Sequence, residues 1–189
     1  MLEEIIGYDK ELFLFLNNLG NPTWDGFWLF VTNKFSSIPL YLILIILTYR
    51  QFGLKKTLTI CLTVILLVVM TNELTDFFKY GVQRLRPCFD PEVNTVMRLV
   101  KDTCGGKFGY FSAHAANSFA IAFFFSKVLD KKFRYLGVFL IVWAFLMAYS
   151  RIYIGVHFPL DVISGGLIGI LLSWIALKLY IFALQKFPQ

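Results

Sequence analysis

The sequence predicts an all-α fold, a polytopic bundle of transmembrane helices. Hydrophobic residues make up 58% of the 189 residues and aromatic residues 18%, more than a soluble domain of this size normally carries. Several windows approach the ~20 apolar residues that a helix needs to cross a ~30 Å hydrocarbon core. No internal repeat or low-complexity stretch offers another explanation for this composition. We therefore expect an integral membrane protein that lies in a phospholipid bilayer.

Five segments are predicted to span the bilayer. In chain order they are residues 36–49, 56–79, 112–129, 133–151 and 159–184. The first is short but very apolar. A loop at 88–110 separates the second span from the third, and we expect residues 1–189 to form a single domain.

The segment before these spans, within residues 1–35, allows two interpretations. Its apolar stretch at 12–35 is interrupted by the run Asn17-Asn18-Leu19-Gly20-Asn21-Pro22. This run would leave polar groups and a helix breaker in hydrocarbon. The segment is therefore either an interfacial helix or a sixth span. It lacks the basic start and the small-residue cleavage site of a secretory signal, so we treat it as part of the mature protein.

Basic residues in the short loops predict the orientation, because Lys and Arg accumulate on the cytoplasmic side. They are Arg50, Lys55 and Lys56 in one turn, Lys127, Lys131, Lys132 and Arg134 in another, and Lys186 near the end of the chain. We expect these parts and the C-terminus to face the cytoplasm. The loop at 88–110 then faces outward, and its own basic residues, Arg98, Lys101 and Lys107, fit this orientation only if they serve substrate binding. Basic residues in a membrane protein are more often topology signals or headgroup contacts than nucleic-acid contacts, so we expect no nucleic-acid partner despite the net charge of +6.

Charged and polar side chains form three clusters at the outer ends of the spans. In the first, Lys79 and Arg86 are seven residues apart, so they would share one helical face if the helix continued to Pro87. Two fixed cations can neutralise a phosphate group and the charge that spreads over its oxygens during transfer. Cationic side chains also snorkel to the interface at many helix ends, which is the alternative interpretation of this cluster.

The second cluster lies where the third span begins. Ser112 occupies the expected N-cap position, and His114 falls in the first turn. The free N–H groups of such an end, with the helix dipole, bind anions. A histidine in this place can protonate a leaving oxygen near neutral pH. A capping serine followed by a packed histidine is the structural alternative.

The third cluster joins the last two spans. Arg151 ends one span, and His157 stands just before the next, whose first turn is marked by Pro159. Asp161 is then placed to fold back, accept the N–H of the His157 imidazole and leave the other ring nitrogen free as a nucleophile. A structural ion pair at the membrane boundary is the alternative.

Together the three clusters resemble the signature motifs of the type 2 phosphatidic acid phosphatase (PAP2) superfamily. The matching segments are Lys79-x6-Arg86-Pro87, Phe111-Ser112-Ala113-His114 and Ser150-Arg151-x5-His157-x3-Asp161. The second departs from the family's usual Pro-Ser-Gly-His at Phe111 and Ala113. The superfamily includes bacterial lipid phosphatases and vanadium haloperoxidases, so the resemblance implies the helical core that these proteins share.

The resemblance also implies a mechanism that requires no metal or other cofactor. His157 attacks phosphorus to form a phosphohistidine, Asp161 orients His157, and His114 protonates the leaving group before it helps water to hydrolyse the intermediate. The implied phosphate ligands are Lys79, Arg86, Ser112, the backbone N–H of Ala113, and Arg151.

A membrane lipid phosphate is the expected substrate, and the bacterial inner membrane is the expected location. Undecaprenyl diphosphate is slightly favoured. The alternatives are lipid A phosphates, phosphatidylglycerol phosphate and phosphatidic acid. A protein that binds or transports phosphate or lipid phosphates is the non-enzyme alternative, but a transporter would be expected to carry polar residues along its mid-span interior. In this chain the ionisable residues collect at one end of the spans.

Two further pairs of residues concern packing. Cys88 and Cys104 lie in the outer loop, where a disulfide would contribute about 3 kcal/mol in the loop-entropy picture. Two free thiols are the equal alternative. Gly165 and Gly169 would let the last helix pack closely against a neighbour, which we expect to belong to the same chain, although the sequence specifies no oligomeric state.

Overall fold

The computed structural model describes residues 1–129 and 133–186 and confirms the predicted all-α fold. Within these two ranges six α-helices follow one another: α1 (Leu2–Asn18), α2 (Pro22–Thr32), α3 (Ile38–Val82), α4 (Ala113–Val128), α5 (Arg134–Tyr153) and α6 (Pro159–Lys186). Short 3-10 helices at Lys34–Ser37 and Pro87–Phe89 flank α3. The described ranges contain no β-strand and a single isolated antiparallel β-bridge, between Leu85 and Phe108.

Helix α3 is two membrane helices joined at a kink. Gly53 has φ 75° and ψ 178°, which only glycine adopts without strain, and it divides the helix into limbs at 38–52 and 54–82. The limbs correspond to the first two predicted spans. Arg50, Lys55 and Lys56 flank the kink, as expected for a turn at the membrane surface.

Among the described residues, three helical segments are long and apolar enough to cross a membrane. They are Lys34–Val82, Tyr135–Tyr153 and Pro159–Lys186, with mean hydropathies of 2.0, 1.7 and 2.2. Their outward faces expose large apolar side chains, among them Leu62, Ile65 and Leu167, to the place that lipid would occupy. Helix α4, the third predicted span, has only 16 residues and lies among the other helices, with Ala115, Ala120 and Phe124 fully buried.

The N-terminal segment forms two short helices rather than one span. They have 17 and 11 residues, and the chain between them turns at 19–21, directly before Pro22. Helix α2 is too short to cross the hydrocarbon core, and α1 carries three charged residues, Asp9, Lys10 and Glu11, in its middle. The end of α1 is tied to the end of α5, because the side-chain amide of Asn17 donates to the carbonyl oxygens of Ile152 and Tyr153 at 3.1 and 2.9 Å. The structure therefore favours the interfacial alternative.

Glycines on α6 bring its backbone against α4. A Cβ atom at Gly165 would lie 2.6 Å from the carbonyl oxygen of Ser112, and one at Gly169 would overlap the carbonyl oxygen of Ala116. These contacts confirm that the two glycines pack within the chain. Because they lie near the start of both helices, they fix the spacing of the two helix ends that carry the histidines.

The connection between α3 and α4 folds back on itself over these helix ends. The backbone N–H of Arg86 donates to the carbonyl of Lys107 at 3.1 Å, and that of Gly109 donates to the carbonyl of Arg84 at 2.9 Å. Farther along the loop, Arg98 forms an ion pair with Asp25 of α2 at 2.8 Å. Arg98 is therefore occupied by a structural contact.

Candidate active site

His157 lies in the tight turn between α5 and α6. Gly155 in this turn has φ 83°, and a Cβ atom there would overlap the carbonyl oxygen of Arg98, so the turn requires glycine. Helix α6 begins at Pro159, as predicted, and Asp161 falls in its first turn. The carboxylate Oδ2 of Asp161 lies 3.4 Å from Nδ1 of His157 and accepts the backbone N–H of Phe158 at 3.1 Å.

The imidazole of His157 is neutral in this environment. Burial lowers its pKa well below 6.5, and the positive charges of Arg151 and Arg86 act in the same direction. A hydrogen bond with the backbone of Gly109 acts in the opposite direction. With Nδ1 turned towards Asp161, a neutral ring has its Nε2 lone pair available for attack on an electrophile.

The carboxylate of Asp161 is held by a second arginine that sequence reasoning missed. Arg84 donates from Nη1 to Oδ1 of Asp161 at 2.7 Å and from Nη2 to Oδ2 of Asp9 at 2.5 Å. Its guanidinium also lies over the ring of Phe158, 4.4 Å from the centroid. The only sequence signal for this residue was a second arginine two positions before Arg86.

Asp9, on α1, completes this chain of contacts and was also missed. It is 4% exposed, and its Oδ1 accepts the backbone N–H of Leu160 at 2.8 Å. Burial raises the pKa of Asp9, whereas the hydrogen bond from Arg84 lowers it. Helix α1 thus reaches both the start of α6 and the arginine that holds Asp161.

Ser112 and His114 stand at the N-terminus of α4, as predicted. Ser112 is fully buried, its side chain accepts the N–H of Ala115 at 3.5 Å, and its own N–H donates to the backbone carbonyl of Asp161 at 2.9 Å. The side chain of His114 is half-buried and lies within the electrostatic influence of Arg151 and His157. The second and third clusters are therefore adjacent in space.

Arg86 reaches the site from the loop and not from a helix. Helix α3 ends at Val82, so the prediction that Lys79 and Arg86 share a helical face was wrong. The loop backbone positions Arg86 instead: its Nε donates to the carbonyl of Phe108 at 3.1 Å and its Nη1 to that of Cys104 at 2.6 Å. Burial lowers the pKa of this guanidinium, but arginine titrates so far above neutrality that the group stays charged.

The two remaining cations, Arg151 and Lys79, differ in how many of their N–H groups have a partner within the protein. Arg151 is 6% exposed and donates from Nη1 to Oγ1 of Thr32 at 2.5 Å, while its Nε has no hydrogen-bond partner among the described residues. Such a buried guanidinium suits an anion. Lys79 lies in the last turn of α3, where Asp76 pairs with it at 3.1 Å.

Cys88 and Cys104 occur as a bonded pair in the loop, with Cα atoms 6.3 Å apart. The pair closes the segment whose carbonyl oxygens hold Arg86. No group of three or more His, Cys, Asp or Glu side chains that could hold a metal ion occurs in the part of the chain that the structure describes.

Phosphoryl transfer requires mainly a positioned nucleophile and positive charge around the phosphate oxygens. This end of the helix bundle supplies both, so the fold and the site define an integral membrane phosphatase. Its family follows from comparison with known proteins. A model of the PAP2 superfamily matches residues 56–184, and the chain belongs to that superfamily.

Relatives with named substrates match nearly the whole chain. The lipid A 4′-phosphatase of Bacteroides thetaiotaomicron is 33% identical over 178 residues, which cover 93% of this chain and 78% of that protein. The lipid A 4′-phosphatase of Porphyromonas gingivalis is 31% identical over 98% of this chain and 78% of its own length. An undecaprenyl-diphosphatase of Sulfolobus acidocaldarius is also similar. The crystal structure of Aquifex aeolicus LpxE superposes with a TM-score of 0.65 and 31% identity, covering 89% of this chain and 93% of that one.

Proposed function

We propose that this membrane lipid phosphatase removes a phosphate group from lipid A through a phosphohistidine intermediate. The observation that carries the proposal is the buried, neutral His157, which is held by Asp161 beside several cations. A nucleophile that attacks phosphorus must be neutral and oriented, and the surrounding charge must stabilise the transition state.

In the first step, Nε2 of His157 attacks phosphorus and the bond to the leaving oxygen breaks. Asp161 holds Nδ1, while His114 gives its proton to the leaving oxygen. In the second step His114 accepts a proton from water, the water oxygen attacks phosphorus, and the N–P bond breaks. Inorganic phosphate leaves, and His157 returns to its neutral state.

The phosphate oxygens are held by groups from four parts of the chain. Arg86 comes from the loop and Arg151 from α5, where its unpaired Nε is ready to donate. The proposed ligands also include Lys79, the hydroxyl of Ser112 and the backbone N–H of Ala113.

Lipid A is better supported as the substrate than undecaprenyl diphosphate, the lipid that the sequence slightly favoured. Two relatives that match more than nine-tenths of this chain are lipid A 4′-phosphatases. The undecaprenyl-diphosphatase also matches 92% of this chain, but the match as a whole is weaker than that of either lipid A 4′-phosphatase. Undecaprenyl diphosphate therefore becomes the comparison substrate in the assay.

We propose that the site faces the outer side of the bacterial inner membrane and that the C-terminus faces the cytoplasm. The Gly53 kink with its three basic neighbours, Lys127 in the last turn of α4 and Lys186 in the last turn of α6 lie at the opposite helix ends from the site. Lys131 and Lys132, which contributed to this prediction, lie outside the described residues.

The test is phosphate release by purified protein, without added metal, from lipid A, undecaprenyl diphosphate, phosphatidylglycerol phosphate and phosphatidic acid. His157→Ala is expected to abolish release. His114→Ala is expected to slow release from lipids far more than from p-nitrophenyl phosphate, whose leaving group needs no proton. Ser173→Ala is the control, because Ser173 is also buried but lies midway along α6. Undiminished turnover by His157→Ala would refute the nucleophile, and a preference for undecaprenyl diphosphate over lipid A would refute the substrate.

A further inference from the structure

A cavity beside His114 carries several polar side chains in an otherwise apolar wall, and we call it the polar cavity. Its volume is about 310 Å³, and it lies between the 3-10 helix at Lys34–Ser37 and helices α3, α4 and α5. His114 forms part of its wall. The polar lining includes Asn72 of α3 and Asn117 of α4, and the ring of Trp143 on α5 supplies an aromatic surface.

The two asparagines lie at membrane depth. Asn72 is seven residues before Lys79, about 10 Å deeper along the axis of α3. Asn117 is one helical turn below His114 on the same side of α4. Polar side chains at this depth are costly and usually functional.

These amides are only partly satisfied by each other. Nδ2 of Asn117 donates to Oδ1 of Asn72 at 2.9 Å. Oδ1 of Asn117 is buried and has no hydrogen-bond partner among the described residues. This unpaired acceptor lies next to the cavity and suits a ligand that carries hydroxyl or amide donors, which reach it when the Asn117 side chain turns.

A second cavity continues from the first into the apolar part of the bundle. It measures about 350 Å³ and lies between the two limbs of α3 and helix α4. Tyr41 and Val68 line both cavities, so the two adjoin. The wall of the second is made of aliphatic and aromatic side chains such as Leu44, Ile65 and Ile121.

We propose that the polar cavity binds the sugar of a glycolipid substrate and that the adjoining groove binds one of its acyl chains. This assignment rests on the proposed function, in which His114 protonates the leaving oxygen. The leaving group must then lie on the His114 side of the phosphorus, which is where the polar cavity begins. Sugar hydroxyl groups donate to the free oxygen of Asn117, and the ring packs against Trp143.

The order of the surfaces matches a glycolipid and not a prenyl lipid. Moving away from His114, a ligand meets amides first and an apolar groove second. In a phosphorylated glycolipid the ester oxygen is followed by a sugar ring with polar substituents and then by acyl chains. A prenyl chain reaching from the site to the groove would place hydrocarbon against Asn72 and Asn117 and would leave Oδ1 of Asn117 without a hydrogen-bond partner.

The test compares two substrates in each variant. The measured quantity is the ratio of kcat/KM for lipid A to kcat/KM for p-nitrophenyl phosphate, which has neither a sugar nor a chain. Asn72→Leu and Asn117→Leu are each expected to lower this ratio about tenfold, the effect of a lost polar contact to the bound ligand. Asn94→Leu, the same change at an exposed loop position, is the control and should leave the ratio unaltered.

A second variant probes the groove in case the amide variants fold poorly. Val68→Trp fills the junction of the two cavities and should raise KM for lipid A with long acyl chains more than for an analogue with short chains. A ratio that stays constant in both asparagine variants, or an equal loss with both substrates, would overturn the sugar site. If the wild-type protein does not hydrolyse lipid A at all, the proposed function fails instead, so the two failures are distinguishable.

Discussion

Substituting Asp9 by Asn tests whether helix α1 contributes to catalysis from the far end of the chain. The side chain of Asp9 contacts neither histidine, yet it holds Arg84 at 2.5 Å, and Arg84 holds Asp161 at 2.7 Å. Asparagine has nearly the same shape and can still accept the N–H of Leu160. It removes the negative charge and can turn an NH₂ group towards the guanidinium. Arg84 then has a single carboxylate to hold it.

The size of the effect follows from the type of contact that is lost. A hydrogen bond between charged groups contributes roughly 1.5–3 kcal/mol. If that energy serves to orient Asp161 and through it His157, kcat/KM falls about 10- to 150-fold, because about 1.4 kcal/mol corresponds to a factor of ten in rate. We therefore assign Asp9 and Arg84 as positioning residues. The pH profile should change as well, since a loosened Asp161 no longer orients the His157 ring.

The assay measures phosphate release and thermal unfolding in detergent for Asp9→Asn and for a matched control, Asp25→Asn. Asp25 is also an N-terminal aspartate paired with an arginine, Arg98, at 2.8 Å, but it has no contact with Asp161. Both variants should lose stability, and only Asp9→Asn should lose activity at a temperature where both are folded. Equal activity in the two variants would refute the positioning role.

Three further predictions concern charge, the loop and helix packing. The pKa of His157 is depressed in the folded state, so the unfolded state binds more protons below pH 6.5. The free energy of unfolding should therefore decrease as the pH is lowered below 6.5, by up to about 1.4 kcal/mol per pH unit. His157→Gln should flatten this loss in thermal unfolding, and an unchanged slope would contradict a neutral imidazole. Cys88→Ser should raise KM, because it frees the loop that holds Arg86. In the wild-type protein the number of free thiols should rise by two on reduction, and a constant number would exclude the disulfide. Gly169→Ala should lower the free energy of unfolding by about 1–3 kcal/mol. Gly81→Ala, where a Cβ atom meets no neighbour, is the control and should leave the midpoint of thermal unfolding unchanged.

Local patterns predicted those parts of the site that are built locally. The N-cap at Ser112 and the start of α6 at Pro159 depend on residues within one helical turn, and both are confirmed. The approach of Asp161 to His157 belongs to the same group, because four positions separate the residues. Four of the five predicted spans lie in helices that are long and apolar enough to cross a membrane, since apolar length alone defines them, whereas the third, at 112–129, forms the shorter helix α4.

Contacts between distant parts of the chain were not predictable in this way. Asp9 and Arg84 are 75 positions apart, and no helical period relates them. The position of Arg86 depends on where α3 ends, and this helix stops at Val82 although the next proline comes only at position 87. The carbonyl groups that hold Arg86 belong to a loop without a regular pattern, so its place in the site could be seen only in three dimensions.

The hydrogen bond between the N–H of Ser112 and the carbonyl of Asp161 affects how the site responds to changes in bilayer thickness. It joins the start of α4 to the start of α6 by backbone alone, and a Cβ atom at Gly165 would not fit between them. Membranes that thicken or thin are accommodated mainly by helix tilt. Since the two helix ends are tied together, tilting moves His114 and His157 as one body. We expect turnover in vesicles to depend little on lipid chain length, because the spacing of the two histidines is independent of the thickness of the membrane around them.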